Sequence, residues 1–240
     1  MERFRNNRNF SKYNNVSSWL CNMGDKKIMA NHVYFTIHVE GIEDEQFQEH
    51  VKSETRTARR WHDDSEYTFE ALLEIEEQPF MTNVYKEFDN DGDLKDSYDW
   101  YCNNVGAKWC HIEECEYGYI SGHSAWRQPH ELVINIIEFY AKEYDTEVTA
   151  SMTYEDEFRN FMGKQYYGSD KCENDGWYAW EGDYTETDGD ELMNQFNELY
   201  PSIDTEHEDF DYHGEYEVEG EKIYPSEVLD ELADEFWSSC

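Results

Sequence analysis

Basic residues are scarce in this chain. Only 19 lysines and arginines stand against 56 aspartates and glutamates, a net charge of −37. A field of that sign repels DNA, RNA and anionic lipid, so none of these is expected as a direct ligand. No long hydrophobic run occurs, and no segment reads as a membrane span. The first residues also lack the apolar stretch of a signal peptide. No P-loop, dinucleotide fingerprint or H-E-x-x-H motif is present. Cysteines fall at 21, 102, 110, 115, 172 and 240. Without a secretory signal they are expected as free thiols in a reducing cytoplasm. The spacing C-x7-C-x4-C, with His111 beside Cys110, lacks the paired ligands two to four apart that structural zinc uses, so no metal or cofactor is expected.

Aromatic residues are abundant. They make up 17% of the chain, with 8 Trp, 19 Tyr and 13 Phe, although apolar residues as a whole reach only 38%. Disordered acidic chains lack aromatics, so a core built from large rings is expected. A length of 240 residues accommodates one large or two small domains. The charge is uneven. Residues 1 to 28 hold Arg3, Arg5, Arg8, Lys12, Lys26 and Lys27 against Glu2 and Asp25, a net of +4, so the remaining 212 residues carry −41. Met29 opens "MANHVYFTIHVEG", which reads as a domain start. The leader 1–28 is expected to be disordered or to reflect a start codon assigned too far upstream, with a basic nucleic-acid arm as the alternative.

Periodicity gives a coarse element order. "HVYFTIHVE" (32–40) alternates and reads as a strand. "IEDEQFQEHVKSE" spaces Ile42, Phe47 and Val51 for one helical face, and "EYTFEALLEI" (66–75) fits strand or helix. "QPFMTNVYKEFDNDGDLKDS" reads as a loop. "DSYDWYCNNVG" reads as a short helix capped at Asp96 or Ser97 and stopped at Gly106. "CHIEECEYGY" and "YISGHSAW" read as strands meeting near Gly118. "QPHELVINIIEFYAKEY" is the clearest helix, with Pro129 in its first turn and Leu132, Val133, Ile136, Ile137, Tyr140 and Tyr144 as one stripe. "TEVTASMTY" reads as the next strand. The order β-α-β-β-α-β over 32 to about 154 predicts an α+β protein with a ferredoxin-like split βαβ core, an antiparallel sheet with helices on one face.

Three segments, "MANHVYFTIHVEG", "WYCNNVGAKWC" and "SGHSAWRQPHELVINIIEFY", resemble the Api92/YubB-type ferredoxin-like domain family of phages and plasmids. The resemblance rests on Asn31, Trp100, Asn104, Gly106, Lys108, Trp109, Trp126 and Pro129. The chain departs from the family pattern at Val105, where Trp is usual, at Ala107 for Thr and at Cys110 for Asp. The match covers roughly 29–185. It implies a fold and a mobile-element origin, and hence the cytoplasm of an infected bacterium, but no iron–sulfur cluster and no catalytic residue. Residues 29–185 are then the ferredoxin-like domain and 186–240 an acidic extension packed on it.

Two stretches imitate chemical sites. "EFDNDGDLKDSY" (87–98) places Asp89, Asp91 and Gly92 like a calcium loop, but Tyr98 falls where a bidentate Glu closes the shell, so a solvated acidic turn is expected. "GYISGHSAWRQPH" holds Ser121, His123, Ser124 and His130 without a nucleophile elbow or an orienting acid. In the C-terminal third, "DELMNQFNELY" reads as a helix with Leu192, Phe196 and Leu199 on one face. "PSEVLDELADEFW" stripes Val228, Leu229, Leu232, Ala233, Phe236 and Trp237. That stripe is expected to dock on the core, with Phe236, Trp237, Asp230, Glu231 and Asp234 as the alternative partner or self-association surface.

Charge thus carries the functional expectation: a non-catalytic, phage-type accessory protein that binds a basic host or phage protein. About 37 net negative charges match roughly 60 Å of duplex. A DNA mimic that sequesters a basic nucleic-acid-binding or defence protein fits that number. An assembly accessory without mimicry, or an enzyme of unknown type, are the alternatives.

Overall fold

The computed structural model describes residues 31–60, 65–81, 84–88, 94, 96–173 and 176–240. The leader 1–28, Cys21 and the calcium-loop-like Asp89, Asp91 and Gly92 lie outside the described residues. In chain order come β1 (His32–Glu40), α1 (Asp44–His50), β2 (Ser53–Arg59), β3 (Glu66–Leu72), α2 (Ser97–Asn104), β4 (Cys110–Glu116) and β5 (Tyr119–Ala125). They are followed by α3 (His130–Tyr144), β6 (Thr149–Asp156), β7 (Met162–Cys172), β8 (Gly176–Thr187) and α4 (Gly189–Leu199). The chain closes with β9 (Tyr216–Val218), β10 (Glu221–Ile223) and α5 (Pro225–Ser239). The protein is α+β. Six strands form one antiparallel sheet in the order β4-β5-β1-β6-β7-β8, while β2-β3 and β9-β10 are separate hairpins.

Alternation decides how β1 lies. Val33, Phe35, Ile37 and Val39 are buried, whereas Tyr34, His38 and Glu40 are exposed on the opposite side. The buried side meets α3, whose Leu132, Val133, Ile136, Ile137, Tyr140 and Ala141 are all buried. Burying each large side chain of such a stripe contributes roughly 1.5–3 kcal/mol. Tyr140 stacks on Phe47 of α1 at 5.0 Å and donates its hydroxyl to the Phe47 carbonyl at 2.8 Å, which ties α1 to the same face. Pro129 precedes α3 rather than lying within it, and its carbonyl accepts the first amide bonds, from Leu132 and Val133.

The short helix α2 begins after Asp96, which is left-handed (φ 50) and makes no side-chain cap bond. It stops where expected: Gly106 has φ 92, and a Cβ there would stand 2.9 Å from His130 Nδ1. The helix expected over 42–54 forms only between Asp44 and His50. α1 ends at His50, Val51 is its C-cap, and "SETRTAR" becomes β2, paired with β3. The ambiguous 66–75 segment is therefore resolved as strand through Leu72. Gln78, itself buried, bonds the Lys52 amide and carbonyl and the Leu73 carbonyl, clamping the root of the hairpin. The expected loop at 78–97 also contributes Phe80 and Met81 to the core from a 3-10 turn.

A second apolar cluster gathers Met162, Leu192, Phe196, Ile203, Ile223, Leu229 and Ala233. Gly163 pairs with Glu186, whose carboxylate takes the hydroxyl bond of the core residue Tyr154, so Met162 points the other way. The C-terminal segment therefore packs against the face opposite α3. The helices α1, α2 and α3 share one apolar cluster, and α4 and α5 join the other through the side-chain alternation of β7. Leu199, expected on the docking face of α4, is 58% exposed. Among the described residues no helix is long and apolar enough to cross a membrane.

Candidate binding surface

The face of the sheet opposite α3 is left partly open and carries rings and charges. His32 and Tyr34 of β1, His123 of β5, His111 of β4 and the preceding Trp109 meet there. His123 lies 5.3 Å from His32, 5.4 Å from His111 and 5.5 Å from Trp109, centroid to centroid. The Glu113 carboxylate contacts His123 Nδ1 at 3.0 Å and that of Glu157 approaches His32 Nδ1 at 3.7 Å. Register assembles the group: His111 pairs with His123, and His123 with Tyr34. Among the described residues no three His, Cys, Asp or Glu side chains converge to hold a metal ion.

Next to it, a cleft of about 800 Å³ opens between the sheet and the C-terminal segment. Tyr34, Phe158 and Tyr212 supply rings, and Glu155, Glu157 and Asp230 supply carboxylates. Arg159 is the one arginine or lysine lining it among the described residues. Its guanidinium bridges Glu155 at 3.1 Å and Asp230 of α5 at 2.7 Å. Asp156, at the end of β6, is buried and accepts bonds from the Phe158 amide (3.1 Å), the Asn160 amide (3.1 Å) and the Asn160 side chain (2.6 Å). Burial lifts its pKa above 3.8, although those donors favour the anion. The Asn31 side chain donates to the other Asp156 oxygen.

The residues that carried the family resemblance divide into two groups. Trp100 is buried and donates Nε1 to the Tyr85 carbonyl at 2.9 Å. Asn104 donates to the Trp100 carbonyl, and its own carbonyl accepts from Asn135 of α3. With Asn31, Gly106 and Pro129 these residues hold backbone in place. The others face outward: Trp109 joins the histidine group, and Lys108 sits 5.9 Å over the exposed Tyr98 ring. Trp126 is 49% exposed with φ 74. In the C-terminal stripe, Phe236 and Trp237 are half-buried against the second cluster, Asp230 holds Arg159, and Glu231 and Asp234 are exposed.

The sites that imitated chemistry come apart. Ser124 is buried and donates to the Arg127 carbonyl at 2.6 Å, while His123 points to the opposite face, so the two form no dyad. His130 packs under Gly106, 3.5 Å from Glu131. Burial alone depresses the His130 pKa, but its bond to Glu131 and the nearby Glu181 leave it raised. Cys110 and Cys115 are buried free thiols whose pKa values burial pushes up, that of Cys115 to about 12. Raised so far, both stay as neutral thiols rather than nucleophilic thiolates at neutral pH.

The alternation of "HVYFTIHVE" already aligned His32 and Tyr34, but only strand register brings His111 and His123 to them. The acidic–aromatic run "WYAWEGDYTE" was likewise a strand signal left unread: Trp177 and Ala179 pack on the core, while Tyr178 and Trp180 project outward. The Trp180 ring crosses Gly168, where a Cβ would come within 2.4 Å of it. Compared with known proteins, the chain matches no family model, no curated protein and no solved structure.

Proposed function

We propose that this chain is a non-catalytic, phage-type accessory protein that captures a basic protein partner on the open sheet face and its cleft, working as a DNA mimic. The observation that carries this reading is the composition of the cleft. Three aromatic rings and several carboxylates line it together with one guanidinium, that of Arg159, whose bridges to Glu155 and Asp230 exemplify how an incoming arginine would be held. Neighbouring carboxylates have little cationic competition, because the 212 residues after the leader carry a net −41. Partners would be drawn by long-range attraction and released by salt.

The strand order β4-β5-β1-β6, with α3 leading from β5 into β6, supports a ferredoxin-like split βαβ core of the Api92/YubB type, extended by β7 and β8. Action in the cytoplasm of an infected bacterium belongs to the same proposal. The test is displacement. The protein should release a labelled duplex from a basic DNA-binding protein at about 50 mM salt and progressively fail by about 200 mM. Failure to compete at low salt, with the protein in excess, would remove the mimic.

A further inference from the structure

The sheet ends at β4, and that edge is open. β4 bonds β5 on one side, and among the described residues its other edge has no backbone partner. β3, which pairs with β2 alone, stands beside it and comes within 8 Å of β4 between Cα atoms. Between the two strands runs a groove of about 530 Å³ lined by residues 69–75 and 110–116. Side chains of successive strand residues point to opposite faces. On the β4 wall the amides and carbonyls facing away from β5 are unpaired among the described residues, whereas on the other wall the backbone of Leu73, Glu74 and Ile75 already bonds Lys52, Glu77 and Gln78. Val51, Phe69, Leu73 and Ile112 give the groove apolar patches.

The charge of the groove selects its occupant. Glu70, Glu74, Glu113, Glu114 and Glu116 line it. Arg56, the single arginine or lysine lining it among the described residues, is engaged by Glu54 at 2.8 Å and by Glu74 at 3.7 Å. Acidic side chains along a free edge, with a bulge at Glu113, keep equally acidic copies from pairing there. The same row attracts a strand of opposite sign. We propose that β4 accepts an extended basic segment of a protein partner as an added β-strand on its open edge. Main-chain bonds would supply affinity, and alternate lysine or arginine side chains would meet the glutamates. This proposal rests on the capture of basic partners argued above and specifies how one segment of the partner is held.

Two peptides of about eight residues alternating lysine and valine separate the possibilities. One has an ordinary backbone, and the other is N-methylated at alternate amides without change of charge. Fluorescence anisotropy at low salt should show the ordinary peptide binding and the methylated one weaker by about tenfold or more, because two or three backbone bonds are lost. Hydrogen exchange should slow in residues 110–116 when the ordinary peptide is added. Glu114→Lys with Glu116→Lys, both exposed positions, should weaken binding while circular dichroism stays unchanged. Equal binding of both peptides overturns strand addition but leaves charge capture standing, as does protection confined to the open sheet face. Protection of 110–116 that grows with protein concentration alone names a second copy as the occupant and overturns the basic segment. Binding of neither peptide overturns the proposal, and the displacement assay then decides separately whether basic proteins are captured at all.

Discussion

The two faces of the six-stranded sheet use the same strands for opposite purposes. Under α3, Val33, Phe35, Ile37 and Met152 meet the helix stripe in one continuous apolar cluster with α1 and α2. On the other face, Tyr34, His32, His123 and Glu155 alternate with those same residues and are only partly covered, by a smaller cluster around Met162. Stability is concentrated where alternation meets a broad apolar helix. Recognition chemistry gathers where the covering element is smaller and leaves a cleft.

Truncation on each side measures that asymmetry. Ile136→Ala beneath the sheet should cost about 2–5 kcal/mol in urea unfolding, because the well-packed cluster relaxes little around the cavity. An equal loss from Tyr34→Ala on the open face would erase the distinction. Leu229→Ala, in the smaller cluster, should cost nearer about 2 kcal/mol. It should also speed hydrogen exchange in α5 more than in α3; uniform loosening would mean that both clusters unfold as one.

The smallest effect sits at the boundary between the faces. The Asp156 carboxyl titrates above 3.8 in the fold, chiefly through burial. Between 3.8 and that higher value the folded chain binds more protons than the unfolded one, so the contribution of this group to stability is greatest below 3.8 and falls as pH rises through its folded pKa. Asp156→Asn removes the titration. The stability of the variant relative to the parent should therefore improve from about pH 3 to pH 7, read from urea midpoints at each pH. The opposite slope would show that the donors from Phe158 and Asn160 outweigh burial.

Much of the covered face was legible because each of its elements announces itself locally. The α3 stripe, the β1 alternation and the stop at Gly106 each need only a few neighbouring residues. The helical spacing of Ile42, Phe47 and Val51 holds for α1, but β2 was not legible because "SETRTAR" has no alternating apolar face and becomes a strand only through its pairing with β3. The long β7-β8 hairpin was missed because its outward rings and acids looked like composition rather than alternation. Of the binding surface, the acidity and the aromatic excess were visible, but the cleft was not. Asp230 was noted for an exposed helix face, and Arg159 was not noted at all. Their meeting depends on where α5 docks.

By itself the sequence determined the sign of the electrostatic field and the principal helix, since these follow from composition and from a period of 3.6 residues; the expected large-ring core is instead mainly aliphatic, with many rings such as Tyr34, Trp126 and Trp180 left exposed. Tertiary structure alone decided that three histidines from three strands share one patch, that Met162 turns the C-terminal segment onto the second face, and that β4 remains an open edge. Each of those outcomes depends on register between residues far apart in the chain, where a shift of one position sends a side chain to the opposite face.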